Sequence, residues 1–310
     1  MADAFPLESP GDDARLDPLL AARVVASEDA APAPPARAWR FEAFTRDHDR
    51  IPQETSSSQP TSAPATGADD ENEIAKKLAN PVASLISVPL QNNSDFGVGR
   101  NDGFRNTLNI QPVIPFSLTE QWNVITRTIV PVVWQNDIPT DGDDAFGLGD
   151  TTQSFFFSPV AKPGAPIWGV GPAFLWPTST DKDELGSGKW GAGPTGVLLA
   201  QEGPWTLGGL ANHIWSYAGD RDRPEVNQTF LNPFVSHIFG KGTTIIAQAE
   251  ATYDWHRDDW QVPVAAGVSQ VLKVGGQVVS LGLQGRYWAY RQTYSPEWGI
   301  RFILTFVFPK

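Results

Sequence analysis

Cysteine is absent from the chain and methionine occurs once in 310 residues. Without cysteine there are no disulfides, no thiolate metal sites and no cysteine nucleophile. The four histidines, His48, His213, His237 and His256, are too scattered for a metal-ligand cluster of the HExxH kind. No metal and no cofactor is therefore expected. Positive charge is also scarce: 23 Lys and Arg stand against 35 Asp and Glu, for a net charge of -12, and the pI is about 4.7. A phosphate-tracking surface needs clustered Lys and Arg, so nucleic acid is not an expected partner. No run of about 18 apolar residues occurs, which excludes a transmembrane helix. It does not exclude a membrane barrel, whose signal is about ten residues of alternating hydrophobicity between turns.

The chain is 41% hydrophobic and 19% charged, enough to bury a substantial core, and it carries 12 Trp, 28 Gly and 27 Pro. Large aromatics in such excess point to stacking platforms or membrane-interface belts. Residues 1–70, with "APAPPARA" and "QETSSSQPTSAPATGADDEN", are rich in Ala, Pro, Ser and Thr and have no period. They read as a disordered leader. The start "MADAFPLESPGDD" is acidic and "LLAARVVA" is interrupted by an arginine, so no clear secretory signal stands there. In "NEIAKKLANP", Ile74 and Leu78 lie one turn apart and Pro81 stops the helix, which predicts a short helix or cap over 71–81.

From residue 82 to 310 the pattern is regular. Twelve extended segments lie near 82–97, 104–116, 121–135, 146–158, 166–177, 190–201, 204–217, 226–239, 243–256, 261–273, 276–290 and 297–308. In "TTIIAQAEATYDW", Thr243, Ile245, Ala247, Ala249, Ala251, Tyr253 and Trp255 oppose Thr244, Ile246, Gln248, Glu250, Thr252 and Asp254, one face for lipid and one for water. Tight turns ("SLTE", "QEGP", "GKG", "KVGG") alternate with long acidic loops ("NDIPTDGDD", "PTSTDKDELGSGK", "AGDRDRPEVN"). This predicts an all-β fold, an antiparallel transmembrane β-barrel of about 12 strands in the bacterial outer membrane, with both termini periplasmic. "GVGR" and "GLGD" read as bends within strands.

Aromatic spacing agrees with membrane thickness. Trp122 and Trp134 share a face and lie twelve residues apart, about 40 Å along a strand and roughly 30 Å once tilted. Trp205 with Trp215 and Trp298 with Phe308 repeat the device, and Trp255 joins the same interface set. In the closing "RFILTFVFPK", Phe302, Leu304, Phe306 and Phe308 form one face. That row is expected to meet lipid and to serve recognition by the barrel-assembly machinery, with Pro309 and Lys310 following it.

The segments "NPVASLISVPLQNN", "LNIQPVIPFSL", "WNVITRTIVPVVWQ", "FGLGDTTQSFFFSP", "IWGVGPAFLWPT" and "GGLANHIWSYAGD" resemble the bacterial outer-membrane family labelled as the MetA pathway of phenol degradation. The resemblance runs from about Asn80 to Lys310. It implies an outer-membrane transporter and supplies no catalytic or ligand residues to carry over.

Strand phase turns Arg105, Asn109, Gln111, Arg127, Glu250, Asp254, Gln284, Arg286 and Arg301 inward, since a lipid-facing Arg or Lys at the midplane costs about 2–4 kcal/mol. Two readings stay open for them: a constriction selecting small polar, aromatic or hydrophobic solutes, or ion pairs that merely fill the lumen. Asp141, Asp143 and Asp144 lack the full EF-hand spacing and read as solvated surface. The expected function is an outer-membrane channel or transporter and no enzyme. A phospholipase-like barrel built on Asn212, His213 and Ser216 is the alternative, but residues three apart on a strand point to opposite faces. A non-conducting structural barrel is the third reading.

Overall fold

The structure is a computed structural model and describes residues 67–100, 102–138 and 144–308. Residues 1–66 of the leader expected over 1–70, with Asp141, Asp143, Pro309 and Lys310, lie outside the described residues, whereas 67–70 are the first turn of a helix and not disordered leader. One helix, α1 (Gly67–Leu78), precedes fifteen strands. These are β1 (Ile86–Val98), β2 (Gly103–Ile110), β3 (Val113–Ser117), β4 (Trp122–Asn136), β5 (Ala145–Leu148), β6 (Thr151–Pro159), β7 (Ile167–Trp176) and β8 (Lys189–Glu202). There follow β9 (Trp205–Gly219), β10 (Asn227–Ile238), β11 (Thr243–Ala249), β12 (Ala251–Asp254), β13 (Asp259–Val274), β14 (Gln277–Tyr290) and β15 (Trp298–Phe308). Three staves consist of two segments each, β2 with β3, β5 with β6 and β11 with β12, so the barrel has twelve staves, all antiparallel.

The sheet closes on itself. β15 pairs with β1 from Ile86↔Phe308 to Phe96↔Trp298, and β9 pairs with β10 over Asn227↔Trp215 to His237↔Trp205. Closure leaves no sheet edge, the condition for a β structure to sit in hydrocarbon. The rim holding Ile86, Phe308 and α1 is called lower here, and the rim holding Phe96 and Trp298 upper.

Side-chain alternation sets the two faces as the closing segment predicts. Ile300, Phe302 and Phe308 are exposed on the outer face, while Arg301, Thr305 and Val307 are buried inside. The outer surface bears two aromatic belts. Phe96 stacks on Trp298, Phe104 meets Trp134 edge-on, and Tyr253, Trp255, Trp260, His213 and Trp215 continue the upper belt. Trp122 with Trp168, and Trp205 with His237 and Phe239, form the lower one. Amphipathic rings at both limits of an apolar wall are what a bilayer's two interfaces select.

α1 occupies the lower end of the lumen. Acidic residues at its start (Asp70, Glu71, Glu73) and Lys76 and Lys77 in its last turn complement the helix dipole. Its apolar face, Ile74, Ala75 and Leu78, packs on Ile238, Val271, Val278 and Val307 of the inner wall. Polar ties fix its depth: Gln201 Nε2 donates to the Lys76 carbonyl at 2.9 Å and the Gly242 N–H to Asn72 Oδ1 at 2.9 Å. Gly242 itself has φ +74, and a Cβ there would lie 2.9 Å from Val271 and 3.1 Å from Glu71, so the turn admits the helix because it has no side chain.

Phe308→Asp places a charge on the lipid face and is expected to reduce membrane insertion severalfold, whereas Thr305→Asp inside the lumen is expected to insert far better. The measure is the folded fraction, read as the mobility difference between unheated and boiled samples in detergent gels. Equal losses would show that the phase assigned to β15 is wrong.

Candidate pore and its charge hub

The upper half of the lumen is crossed by a bar of charge, and the sheet register explains how it forms. One cross-strand row runs Asn93–Arg301–Gln284–Gly267, and the next runs Asp95–Gly299–Arg286–Ala265. Cross-strand neighbours share a face, so both arginines point inward. The small residues in the rows leave them room: a Cβ at Gly299 would stand 2.4 Å from Asp95 Oδ1. Across Gly299, Arg286 Nη1 therefore reaches Asp95 Oδ1 at 2.5 Å.

Glu250 is the hub. It lies between β11 and β12, at a break in the ninth stave, and its carboxylate receives Arg301 at 2.9 and 2.7 Å. Arg286 Nη2 stands 3.7 Å from the same carboxylate. Arg301, 2% exposed, also donates to Asn93 Oδ1 at 2.6 Å and Gln284 Oε1 at 3.4 Å. A charge this dry persists only when its N–H groups are satisfied, and here the fork-to-fork pair and two amide oxygens do so. Arg286 is further covered by the Trp288 ring, 4.6 Å from its guanidinium carbon.

The remaining lumen residues named from sequence take separate places. Arg105 donates to Gln135 Oε1 at 3.0 Å, and Arg127 to Gln111 Oε1 at 2.9 Å. Asn109 sits opposite Gln91 on the inner face and outside the bar. Asp254 accepts the N–H groups of His256 and Arg257 at 2.9 and 3.2 Å, capping the β12–β13 turn. Among the interface aromatics, Trp122, Trp134, Trp205, Trp215, Trp255, Trp298 and Phe308 are all exposed on the outside.

Two features went unread in the sequence. Trp288 points inward and is buried, although its neighbours Tyr287 and Tyr290 are exposed. The inner face is also apolar over β4 to β10, where Ile125, Phe156, Val197, Leu199, Leu210 and Phe234 pack around Val82. The polar inner face inferred from "TTIIAQAEATYDW" holds for that stave and not for the opposite side. The available signal was the apolar residue on both faces of segments such as "WNVITRTIVPVVW". Between the apolar side, α1 and the charge bar lies a cavity of about 260 Å³.

The residues of the phospholipase-like alternative separate. Ser216 donates to Glu225 inside the upper rim, while His213 Nδ1 lies 2.7 Å from Thr229 Oγ1 among the outer aromatics. Bonds from Ser216 and then Lys189 hold Glu225 below the ordinary carboxylate range. Among the described residues no cluster of three or more His, Cys, Asp and Glu is placed to hold a metal.

No protein-family model matches the chain, and no curated protein matches it. Among solved structures, it is similar to an outer membrane channel from Pseudomonas putida F1, with TM-score 0.57 and 14% identity over 72% of this chain and 93% of that one. Weaker likenesses join it to the β domain of the Bordetella autotransporter BrkA (TM-score 0.41, 14% identity, 72% and 99% covered) and to a BenF-like porin from Pseudomonas fluorescens Pf-5 (TM-score 0.23, 8% identity, 72% and 97% covered). The first of these shows the fold, that of an outer-membrane barrel. The phenol-degradation family label rests on the sequence segments alone.

Glu250→Gln leaves Arg301 and Arg286 facing each other without their shared anion and is expected to destabilise the barrel by about 3–5 kcal/mol. Adding Arg301→Gln should recover part of that loss, because coupled groups are not additive. Urea unfolding in detergent followed by tryptophan fluorescence gives both numbers, and additive losses would mean that the two groups do not act as a unit.

Proposed function

We propose that the protein is an outer-membrane channel or transporter for small solutes with aromatic or hydrophobic bodies, closed at its lower end by α1. The carrying observation is the cavity of about 260 Å³ inside the barrel, bounded below by Leu78 and Ala79 and lined above by Arg127 and Gln284. A barrel filled for structure alone has no use for a luminal space with one apolar and one charged side. An even number of staves puts both ends of the barrel on one face, which in this reading is periplasmic, so α1 closes the inner mouth. The outward aromatic row ending at Phe308 supports a role in recognition by the assembly machinery, with outer-membrane lipid as the surrounding partner.

Selectivity follows local lining and not the net charge of -12. The bar itself sets Arg286 and Arg301 against Asp95 and Glu250, and Arg105 and Arg127 beside it leave an excess of positive charge, so anions or polarised aromatic solutes are favoured there. The enzyme reading is disfavoured by the opposite placement of Ser216 and His213.

Single-channel recording in planar bilayers tests the proposal. The unaltered chain should give small, rare openings, and Leu78→Asp, which puts a charge in place of a partly buried apolar anchor of α1, should raise open probability about tenfold. Arg286→Gln or Arg301→Gln should shift selectivity toward cations, while Asp144→Asn should shift it less, loop carboxylates being screened within about 8–10 Å. Silence from every variant would identify a non-conducting structural barrel.

A further inference from the structure

Around the charge bar, the lumen holds more positive charge than it neutralises. Arg105, Arg127, Arg286 and Arg301 face Asp95 and Glu250, so four guanidinium groups share two carboxylates. Asp95 is taken by Arg286, and Glu250 by Arg301 and Arg286. Arg105 is held at the wall by Gln135. Arg127 differs: it lines the cavity, and among the described residues no carboxylate lies within ion-pair distance of it. Its Nη2 is spent on Gln111 Oε1 at 2.9 Å, and its other N–H groups bond to no described residue. Gln111, 6% exposed, fixes the orientation of the fork.

The same cavity has an apolar side. Leu210 and Phe234 line it and are backed by Ile125 and Phe156, both fully buried. An unpaired guanidinium facing an apolar surface across a luminal cavity is matched by a molecule with a carboxylate at one end and a compact hydrocarbon body at the other. Arginine's planar fork binds carboxylates through paired hydrogen bonds, and the low dielectric of the site strengthens the contact. The volume suffices for an aromatic ring, since a dry cavity of about 150 Å³ accepts benzene.

We infer that Arg127 anchors a luminal binding subsite for a small monocarboxylate with an apolar body, its carboxylate on the guanidinium and its hydrocarbon part against Leu210 and Phe234. The inference rests on the channel reading for its biological use, but its binding chemistry stands apart from conduction. Glutamines complete the site: Gln248 and Gln284 line the same space and can donate to the second carboxylate oxygen.

Calorimetric titration of the refolded full-length chain in detergent with benzoate, benzyl alcohol and acetate tests it. Benzoate should bind saturably, and benzyl alcohol, without charge, and acetate, without a body, should each bind about tenfold or more weakly. Arg127→Gln should weaken benzoate about tenfold or more while leaving benzyl alcohol unchanged. Arg127→Lys should restore part of the benzoate affinity, and Phe234→Ala should weaken benzoate but not acetate. Each variant is first shown to be folded by its heat-dependent gel mobility. Equal affinity of benzoate for the unaltered chain and Arg127→Gln, equal affinity of acetate and benzoate, or no saturable binding overturns the subsite. Arg127-dependent binding by a chain that never conducts upholds the subsite and overturns the channel reading. Conduction without benzoate binding does the reverse.

Discussion

Everything in this molecule depends on closure of the sheet, the pairing of β15 with β1 over eleven residues from Ile86↔Phe308 to Phe96↔Trp298. In hydrocarbon an unpaired strand edge leaves its N–H and C=O groups without partners, at several kcal/mol for each group. Once the ring is closed, each side chain is committed to lipid or to lumen. A ring of twelve staves is wide enough that its inside must be filled or left as a path. The chain fills most of it by three means: α1 from below, an apolar cluster on one side and the arginine bar above. The cavity is what these three leave.

The bar illustrates how a barrel tolerates buried charge. Arg301 and Arg286 lie in adjacent rows on one inner face, and no lipid-facing alternative exists for them at that depth. Desolvation opposes their burial. It is offset because Glu250 serves both and because Gly299, where a Cβ would stand 2.4 Å from Asp95 Oδ1, leaves Asp95 room to receive Arg286. Gly299 is therefore part of the electrostatics, and its effect on β propensity is secondary.

Much of this was legible in the sequence, for reasons of period. Alternation with a period of two located all twelve staves to within a few residues, because lipid imposes one consistent apolar face. It also gave the phase of β15, with Phe302, Phe306 and Phe308 outside and Arg301 inside. The inner face was less legible, since a lumen can be filled by any chemistry and imposes no pattern. Hence the apolar side around Phe156 and Phe234 left no periodic trace, whereas the inward Trp288 follows Gln284 and Arg286 at the strand period of two. The depth of α1 was illegible for another reason. Its anchors, Gln201 and Gly242, are remote in sequence and are brought to the helix by the ring's closure.

The hub also explains an irregularity in the wall. Pro233 in β10 and Pro263 in β13 flank the break at Glu250, and neither has an N–H for the ladder. On one side the Asn232 side chain donates to the Ala249 carbonyl at 2.7 Å, in place of a ladder donor. On the other, the Glu250 N–H still reaches the Pro263 carbonyl at 2.9 Å, and β13 shifts register against β14 at Val262 and Pro263. A break of this kind re-aims a side chain, as bulges do beside functional sites. Here it lets the Glu250 carboxylate stand between two arginines from different staves, which an unbroken strand would hold at the fixed spacing of its neighbours. The wall gives up ladder bonds at the level where the lumen needs its shared anion. The position of the prolines and the position of the charge bar are thus one constraint, met by the two staves that flank Glu250.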